Sequence, residues 1–229
     1  MLNATTRLVA LVGHPVAQSL SPRMQNAAFA ARGPDWAYVA LDVPPERFEE
    51  AVRGLAAAGF AGANVTTPHK RAAAALTRGA LPSVNTLVFR DGRVEGHTTD
   101  TAVLEGMPAE RPVVVGAGGA AAAFMRALPH ARAFSRTATW PPESAGADIV
   151  VNATSAHDEV VVRVTEGQTL VDLPYPRSAT ADAARAAGAR VLDGLDVLVA
   201  QGAASFALWT AVPAPVDVMA RAVRAVEVV

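Results

Sequence analysis

The sequence predicts an α/β chain of two domains, with parallel strands crossed by helices. Three observations carry this. Strand-length apolar runs alternate with helix-length segments along nearly the whole chain. Alanine and valine dominate a composition that is 51% apolar but only 5% aromatic, which suits helices packed closely on a parallel sheet. A glycine-rich turn, Gly116-Ala117-Gly118-Gly119-Ala120-Ala121, lies mid-chain between a buried-strand pattern and a helix. The 229 residues suffice for one large domain or two small ones with real cores.

In order, Arg7–Val12 reads as a short apolar strand ending at Gly13. Ser21-Pro22 marks a helix start, with serine as N-cap and proline first in the helix, which runs to about Arg32. Trp36–Val43 alternates and reads as a strand. Pro45 opens a helix whose Phe48, Val52 and Leu55 share a face, ending at Gly59. Ala61–Val65 is the next strand, and Pro68 is expected to open the following helix. Leu87–Phe89 and Arg93–Glu95 flank Asp91-Gly92, a hairpin signal.

A second part starts near Asp100, where a helix could be capped. Arg111–Val115 reads as a buried strand, followed by the glycine turn and a helix to about Leu128. Ala131–Phe134, Asp148–Asn152, Thr169–Asp172 and Arg190–Leu192 are strands, with a helix at Thr180–Ala187. Two helices close the chain, roughly Gly194–Thr210 and Pro215–Val226.

Composition excludes several functions. A net charge of −1 leaves no electrostatic footprint for nucleic acid or anionic membrane. Without cysteine there is no disulfide, thiolate metal site or cysteine nucleophile, and no metal is expected. Leu8–Val12 is too short for a signal-peptide core, and no apolar run approaches a membrane span. The expectation is a soluble cytoplasmic protein, monomer or homodimer, acting on a small molecule.

Gly116-x-Gly118-x-x-Ala121 follows a strand and opens a helix, the context a dinucleotide fingerprint requires. Gly116 allows the tight turn, Gly118 lets backbone approach a pyrophosphate, and Ala121 keeps helix and strand close. A Rossmann-like domain is therefore expected. The next strand ends at Ser135-Arg136-Thr137, offering arginine where an NAD site usually places an acid, which argues for a 2′-phosphate and NADP.

Lys70 is the one lysine among 20 lysines and arginines. Arginine cannot release its proton at useful pH, so a lone lysine is a candidate for proton chemistry. Around it lie Ser19, Ser21, Asn64, Thr66, Asn85 and Asp100, on loops after strands, where α/β proteins bind ligands. Each alone is a weak signal, and Ser21 is also explained as an N-cap, Asn85 as a turn residue and Asp100 as a helix cap.

Taken in order, these segments resemble the shikimate dehydrogenase family. Gly13-His14-Pro15-Val16 with Ser19-Leu20-Ser21-Pro22 is similar to its opening substrate motif, and Asn64-Val65-Thr66-Thr67-Pro68-His69-Lys70 to its catalytic segment. Val84-Asn85-Thr86-Leu87 and Gly96-His97-Thr98-Thr99-Asp100 resemble the next two motifs. Gly116–Ala120, Ser135-Arg136-Thr137 and Asn152-Ala153-Thr154-Ser155 resemble its cofactor segments, and Asp172–Pro176 and Gly194–Trp209 its closing ones.

The resemblance implies reduction of 3-dehydroshikimate to shikimate with NADPH. It implies that Ser19 and Ser21 bind the substrate carboxylate and that Asn64, Thr66, Asn85 and Gln201 contact ring hydroxyls. Lys70 and Asp100 would form the catalytic pair. Gly116, Ala117, Gly118, Gly119 and Ala120, Ser135, Arg136 and Thr137, and Asn152, Thr154 and Ser155 would hold the cofactor. Residues 1–100 plus 201–229 would form the substrate domain and 101–200 the NADP-binding domain. Quinate or an amino-shikimate analogue would suit the same carboxylate site, and a non-catalytic ligand-binding relative is a further alternative.

The chain is short for that family, being compressed between Lys70 and Asn85 and between Asp100 and Gly116. Little room remains for a crossover helix between Thr137 and Asp148, and Trp140-Pro141-Pro142 argues against one. Trp140 stands where the family often has a second basic residue, and Thr98 and Ser135 stand where it usually has asparagine. The substrate side reads as complete and the cofactor side as trimmed.

Overall fold

A computed structural model describes all residues except Met1, Pro34, Arg78 and residues 226–229. The chain divides into two compact units, one running to Thr99 and resuming at Val199, the other running from Asp100 to Leu198.

The first unit holds β1 (Arg7–Gly13), α1 (Ser21–Arg32), β2 (Trp36–Asp42), α2 (Phe48–Ala57), β3 (Gly62–Val65), α3 (Lys70–Leu76), β4 (Thr86–Arg90) and β5 (Arg93–His97). Its sheet has the order β2-β1-β3-β4-β5. β1 pairs in parallel with β2 and β3, whereas β4 and β5 add on antiparallel. The β4–β5 turn places Asp91 at φ 52° and Gly92 at φ 71°, the two positive angles that a two-residue hairpin of this hand needs. Ala10 and Val12 of β1 are fully buried and pack with Phe48, Val52 and Leu55 of α2 and Ala73 of α3, so the shared face expected of α2 is its core face. Burying one such valine side chain contributes roughly 1.5–3 kcal/mol.

The second unit holds β6 (Pro112–Val115), α4 (Gly119–Ala127), β7 (Arg132–Phe134), β8 (Ile149–Asn152), β9 (Thr169–Asp172), α5 (Ala179–Ala186) and β10 (Arg190–Leu192). All its strands run parallel, in the order β10-β9-β8-β6-β7. Val113–Val115, Ile149–Val151, Leu170 and Val171 are fully buried, which is why β6, β8 and β9 read as unbroken apolar runs rather than as alternating ones. β7 and β8 are joined without a helix, as the proline pair there predicts. The chain goes from β6 to β7 on one side and returns to β8 on the other, so the switch in strand order falls between β6 and β8.

α6 (Gly194–Thr210) spans the boundary at Leu198–Val199, and α7 (Val216–Arg224) follows. Phe206 of α6 stacks on Phe29 of α1 at 5.2 Å, and Met219 and Val223 of α7 are buried. The expected end of the last helix, Val226, lies outside the described residues.

Three local expectations are corrected. Ser21 does not cap α1: Leu20 holds the cap position without a side-chain bond, and Ser21 is the first helical residue, its N–H donating to Ser19 Oγ at 3.3 Å. Pro68 does not open α3, which begins at Lys70. The intervening turn is held by His69, whose ring bonds the Val43 carbonyl at 2.7 Å and stacks on Phe48 at 4.7 Å. Asp100 caps no α-helix, for only a 3-10 turn at Ala102–Leu104 follows it, with no side-chain cap.

Candidate active site

Sheet register builds the first polar cluster. Asn64 on β3 faces Thr86 at the start of β4, because the two are paired across the ladder. Asn64 Nδ2 lies 3.2 Å from the Asn85 carbonyl, 3.0 Å from Thr86 Oγ1 and 2.9 Å from Ser205 Oγ, while its Oδ1 accepts from the Tyr38 hydroxyl at 2.9 Å. Asn85 Nδ2 donates to Thr99 Oγ1 at 3.0 Å, and its Oδ1 accepts the Thr99 N–H at 2.7 Å. Ser205 Oγ lies 2.9 Å from Thr86 Oγ1 and 3.1 Å from Thr99 Oγ1, and donates to the Gln201 carbonyl one turn earlier on α6. All of these side chains except that of Gln201 are buried. An unpaired buried polar group costs about 1–3 kcal/mol, so mutual bonding is what lets this cluster exist.

The cluster fixes the chain segments that carry the two candidate proton-transfer residues. Lys70, half-buried at the start of α3, accepts the Val84 N–H on its carbonyl at 3.0 Å. The next residue, Asn85, grips Thr99, and Thr99 is followed by Asp100, which is buried. Asn85 and its neighbour Val84 thus tether both backbones. Thr66 sits against the β1 terminus, where any Cβ on Gly13 would overlap its Cγ2. Ser19 is half-buried and Ser21 buried, side by side where α1 begins.

Tyr38, Thr86, Thr99 and Ser205 escaped sequence reasoning. Thr86 and Thr99 lie inside segments already singled out, and Ser205 is four residues after Gln201, on the same helix face. Tyr38 left no local signal.

In the second unit, Gly116 directly follows β6 at φ 136°, and a Cβ there would come within 2.8 Å of the Ala153 carbonyl oxygen. Only glycine is comfortable in that conformation and that space. Gly118 is extended, and a Cβ on it would meet nothing within 4 Å among the described residues, so the turn is open on that side. α4 starts at Gly119 and Ala120, with Ala121 buried against the sheet. A helix start of this kind presents free N–H groups and a positive dipole end. Ala117 is exposed in the same turn.

At the end of β8, Asn152 Nδ2 donates to Asp172 Oδ1 at 2.7 Å, and its Oδ1 accepts from Thr154 N–H and Oγ1 at 3.2 and 2.8 Å. Ser155 follows, exposed. Gly116 and Asn152 therefore lie at the ends of the two strands that flank the switch in strand order, where α/β sheets bind ligands. Burial pushes the Asp172 carboxyl above the usual aspartate range, against the opposing pull of the Ser178 hydroxyl and the Asn152 amide. Beyond β7, Ser135 and Thr137 share a hydrogen bond at 3.2 Å, and Arg136 pairs with Glu159 while lying over the Trp140 ring at 5.2 Å. Among the described residues no group of histidine and acidic side chains could hold a metal ion.

Two family models match parts of this chain. Residues 11–85 match a family model described as the shikimate dehydrogenase substrate binding domain, and residues 194–224 one described as the shikimate 5′-dehydrogenase C-terminal domain. The shikimate dehydrogenase (NADP(+)) of Anaeromyxobacter sp. (strain K) is 41% identical, with 99% of each chain covered. That alignment runs over 276 positions, so the relative carries segments that these 229 residues lack. Among solved structures, shikimate dehydrogenase from Aquifex aeolicus superposes with a TM-score of 0.86 at 30% identity, covering 98% of this chain and 100% of that one. The enzyme from Thermus thermophilus, in complex with NADP(H) and shikimate, gives 0.83 at 29%, covering 96% and 99%.

Proposed function

The chain belongs to the shikimate dehydrogenase family, and on that premise we propose that it reduces 3-dehydroshikimate to shikimate with NADPH, using Lys70 and Asp100 as the catalytic pair. The observation that carries this reading is the tether at Val84-Asn85, which holds the Lys70 carbonyl on one side and Thr99, the residue before Asp100, on the other. Two chain segments distant in sequence are thereby fixed by one pair of neighbouring residues.

The residues present fit a 2′-phosphorylated dinucleotide. Gly118 is bare toward open space, α4 starts directly behind it, and an arginine follows the next strand. When bound, NADPH supplies the hydride that adds to the substrate's ketone carbon. Gly116, Ala117, Gly118, Gly119 and Ala120 would cradle the pyrophosphate. Ser135, Arg136 and Thr137 would take the 2′-phosphate, and Asn152, Thr154 and Ser155 would border the nicotinamide.

The remaining chemistry belongs to the side chains. As negative charge develops on the carbonyl oxygen, the Lys70 ammonium stabilises it and donates the proton that completes the hydroxyl. Lys70 is left neutral and is recharged from solvent. Asp100 is the second member of the proposed pair. Ser19 and Ser21 hold the substrate carboxylate, and Asn64, Thr66, Asn85 and Gln201 read the ring hydroxyls. On this reading residues 1–100 with 201–229 serve the substrate and 101–200 the cofactor. The enzyme works in the cytoplasm, and no described helix is long and apolar enough to cross a membrane.

Steady-state oxidation of shikimate with NADP+ tests this. Saturable, NADP+-dependent turnover is expected. A folded protein that binds shikimate without turning it over would sink the proposal, and faster turnover of quinate would reassign the substrate.

A further inference from the structure

Arg136 already has a carboxylate partner within its own chain. Its guanidinium pairs with Glu159, twenty-three residues on, and lies over Trp140. Both partners of the pair are more than half exposed, at 63% and 54%. Glu159 is nevertheless presented by a held backbone. Its carbonyl accepts the Thr180 hydroxyl at 3.3 Å, the same hydroxyl accepts the Val161 N–H at 2.9 Å, and Thr180 is fully buried. The His157 carbonyl accepts the Ala179 N–H at 2.8 Å, and the His157 ring bonds the Arg177 carbonyl at 3.0 Å. Residues 157–161 are thus clamped on the start of α5, with the Glu159 side chain directed at the end of β7.

Resting on the reading of Arg136 as the 2′-phosphate ligand, we propose that Glu159 is a cofactor-selectivity residue, a built-in counter-ion that a 2′-phosphate must displace. A guanidinium presents one fork, and carboxylate and phosphate compete for it. NADP must break the Glu159 pair, and its 2′-phosphate then lies beside a displaced carboxylate of like charge. NAD has no 2′-phosphate and leaves the pair intact. Preference for NADP over NAD is therefore narrower than Arg136 alone would give. An exposed ion pair is weak, so the effect is about two- to five-fold in affinity.

The experiment measures the Kd of NADP+ and of NAD+ by calorimetry for the parent, Glu159→Gln and Arg136→Gln. Glu159→Gln is expected to tighten NADP+ about two- to five-fold with NAD+ unchanged. Arg136→Gln is expected to erase the preference for NADP+. If Arg136→Gln erases the preference while Glu159→Gln leaves NADP+ unchanged or weakens it, the role of Glu159 is overturned and that of Arg136 stands. If Arg136→Gln keeps the preference, Arg136 is not the phosphate ligand and both ideas fall.

Discussion

The polar cluster around Asn64 in the first unit is buried and bonded to itself, whereas the residues proposed for the cofactor in the second lie on strand ends, open turns and exposed loops. Asn64 alone has four partners inside the fold. Arg136, by contrast, stands at the surface with a pair that a ligand could displace. The difference teaches where function and stability are coupled. On the proposed reading, a small hydroxylated substrate would need groups fixed to fractions of an ångström, and a buried, internally bonded network can hold them so. A long dinucleotide is held by backbone and a few surface contacts, each of which can change without loosening the core.

Substitutions can break this comparison, and the largest effect belongs to Lys70→Arg. It keeps the charge at the start of α3 but cannot deliver a proton. The kcat for shikimate oxidation should fall about 100-fold or more, while thermal stability and shikimate affinity stay close to the parent. A near-normal kcat would remove Lys70 from proton transfer.

Next is Asn64→Ala, which strips partners from Tyr38, Thr86 and Ser205 at once. Stability should drop by about 2–3 kcal/mol, read as a lower urea midpoint at unchanged slope. Melting like the parent would mean that the network is not a scaffold.

Asp172 is a buried acid in the second unit, bonded to the equally buried Asn152. Its carboxyl is raised from the ordinary 3.8 chiefly by burial. The folded chain therefore holds that proton more tightly than the unfolded chain does. The resulting stability is fully present below the unfolded value and is lost as pH rises through the folded one. Asp172→Asn removes this titration, so the parent should lose stability relative to the variant as pH climbs above the usual aspartate range. Urea unfolding of both proteins across that window checks the sign, and a pH-independent difference would contradict it.

The smallest effect is expected from Trp140→Leu, which removes the ring beneath Arg136. NADP+ affinity should change by no more than about five-fold, with the melting temperature unmoved. A large loss of stability there would erase the contrast between the two units.

Much of the fold was legible because its signals are local. Unbroken apolar runs mark β6 and β8, Asp91-Gly92 marks the hairpin, and Phe48, Val52 and Leu55 mark the buried face of α2. Helix starts were less legible where a tertiary contact intervened, as when His69 packs on Phe48 and delays α3 to Lys70. In the site, the segments around Lys70, Asn85 and Asp100 stood out, but Tyr38 and Ser205 lie 26 and 141 residues from Asn64 and carry no pattern pointing to it.

The sequence by itself determined the alternation of strands and helices, the glycine turn at the head of α4 and the identity of the lone lysine. These follow from side-chain volume, backbone freedom and titration chemistry, which each residue carries with it. The tertiary structure alone decided that Asn64 and Asn85 share their hydrogen bonds with Thr86, Thr99 and Ser205, and that Arg136 meets Glu159. Hydrogen bonds and ion pairs act over a few ångströms, and only packing sets which distant residues come that close.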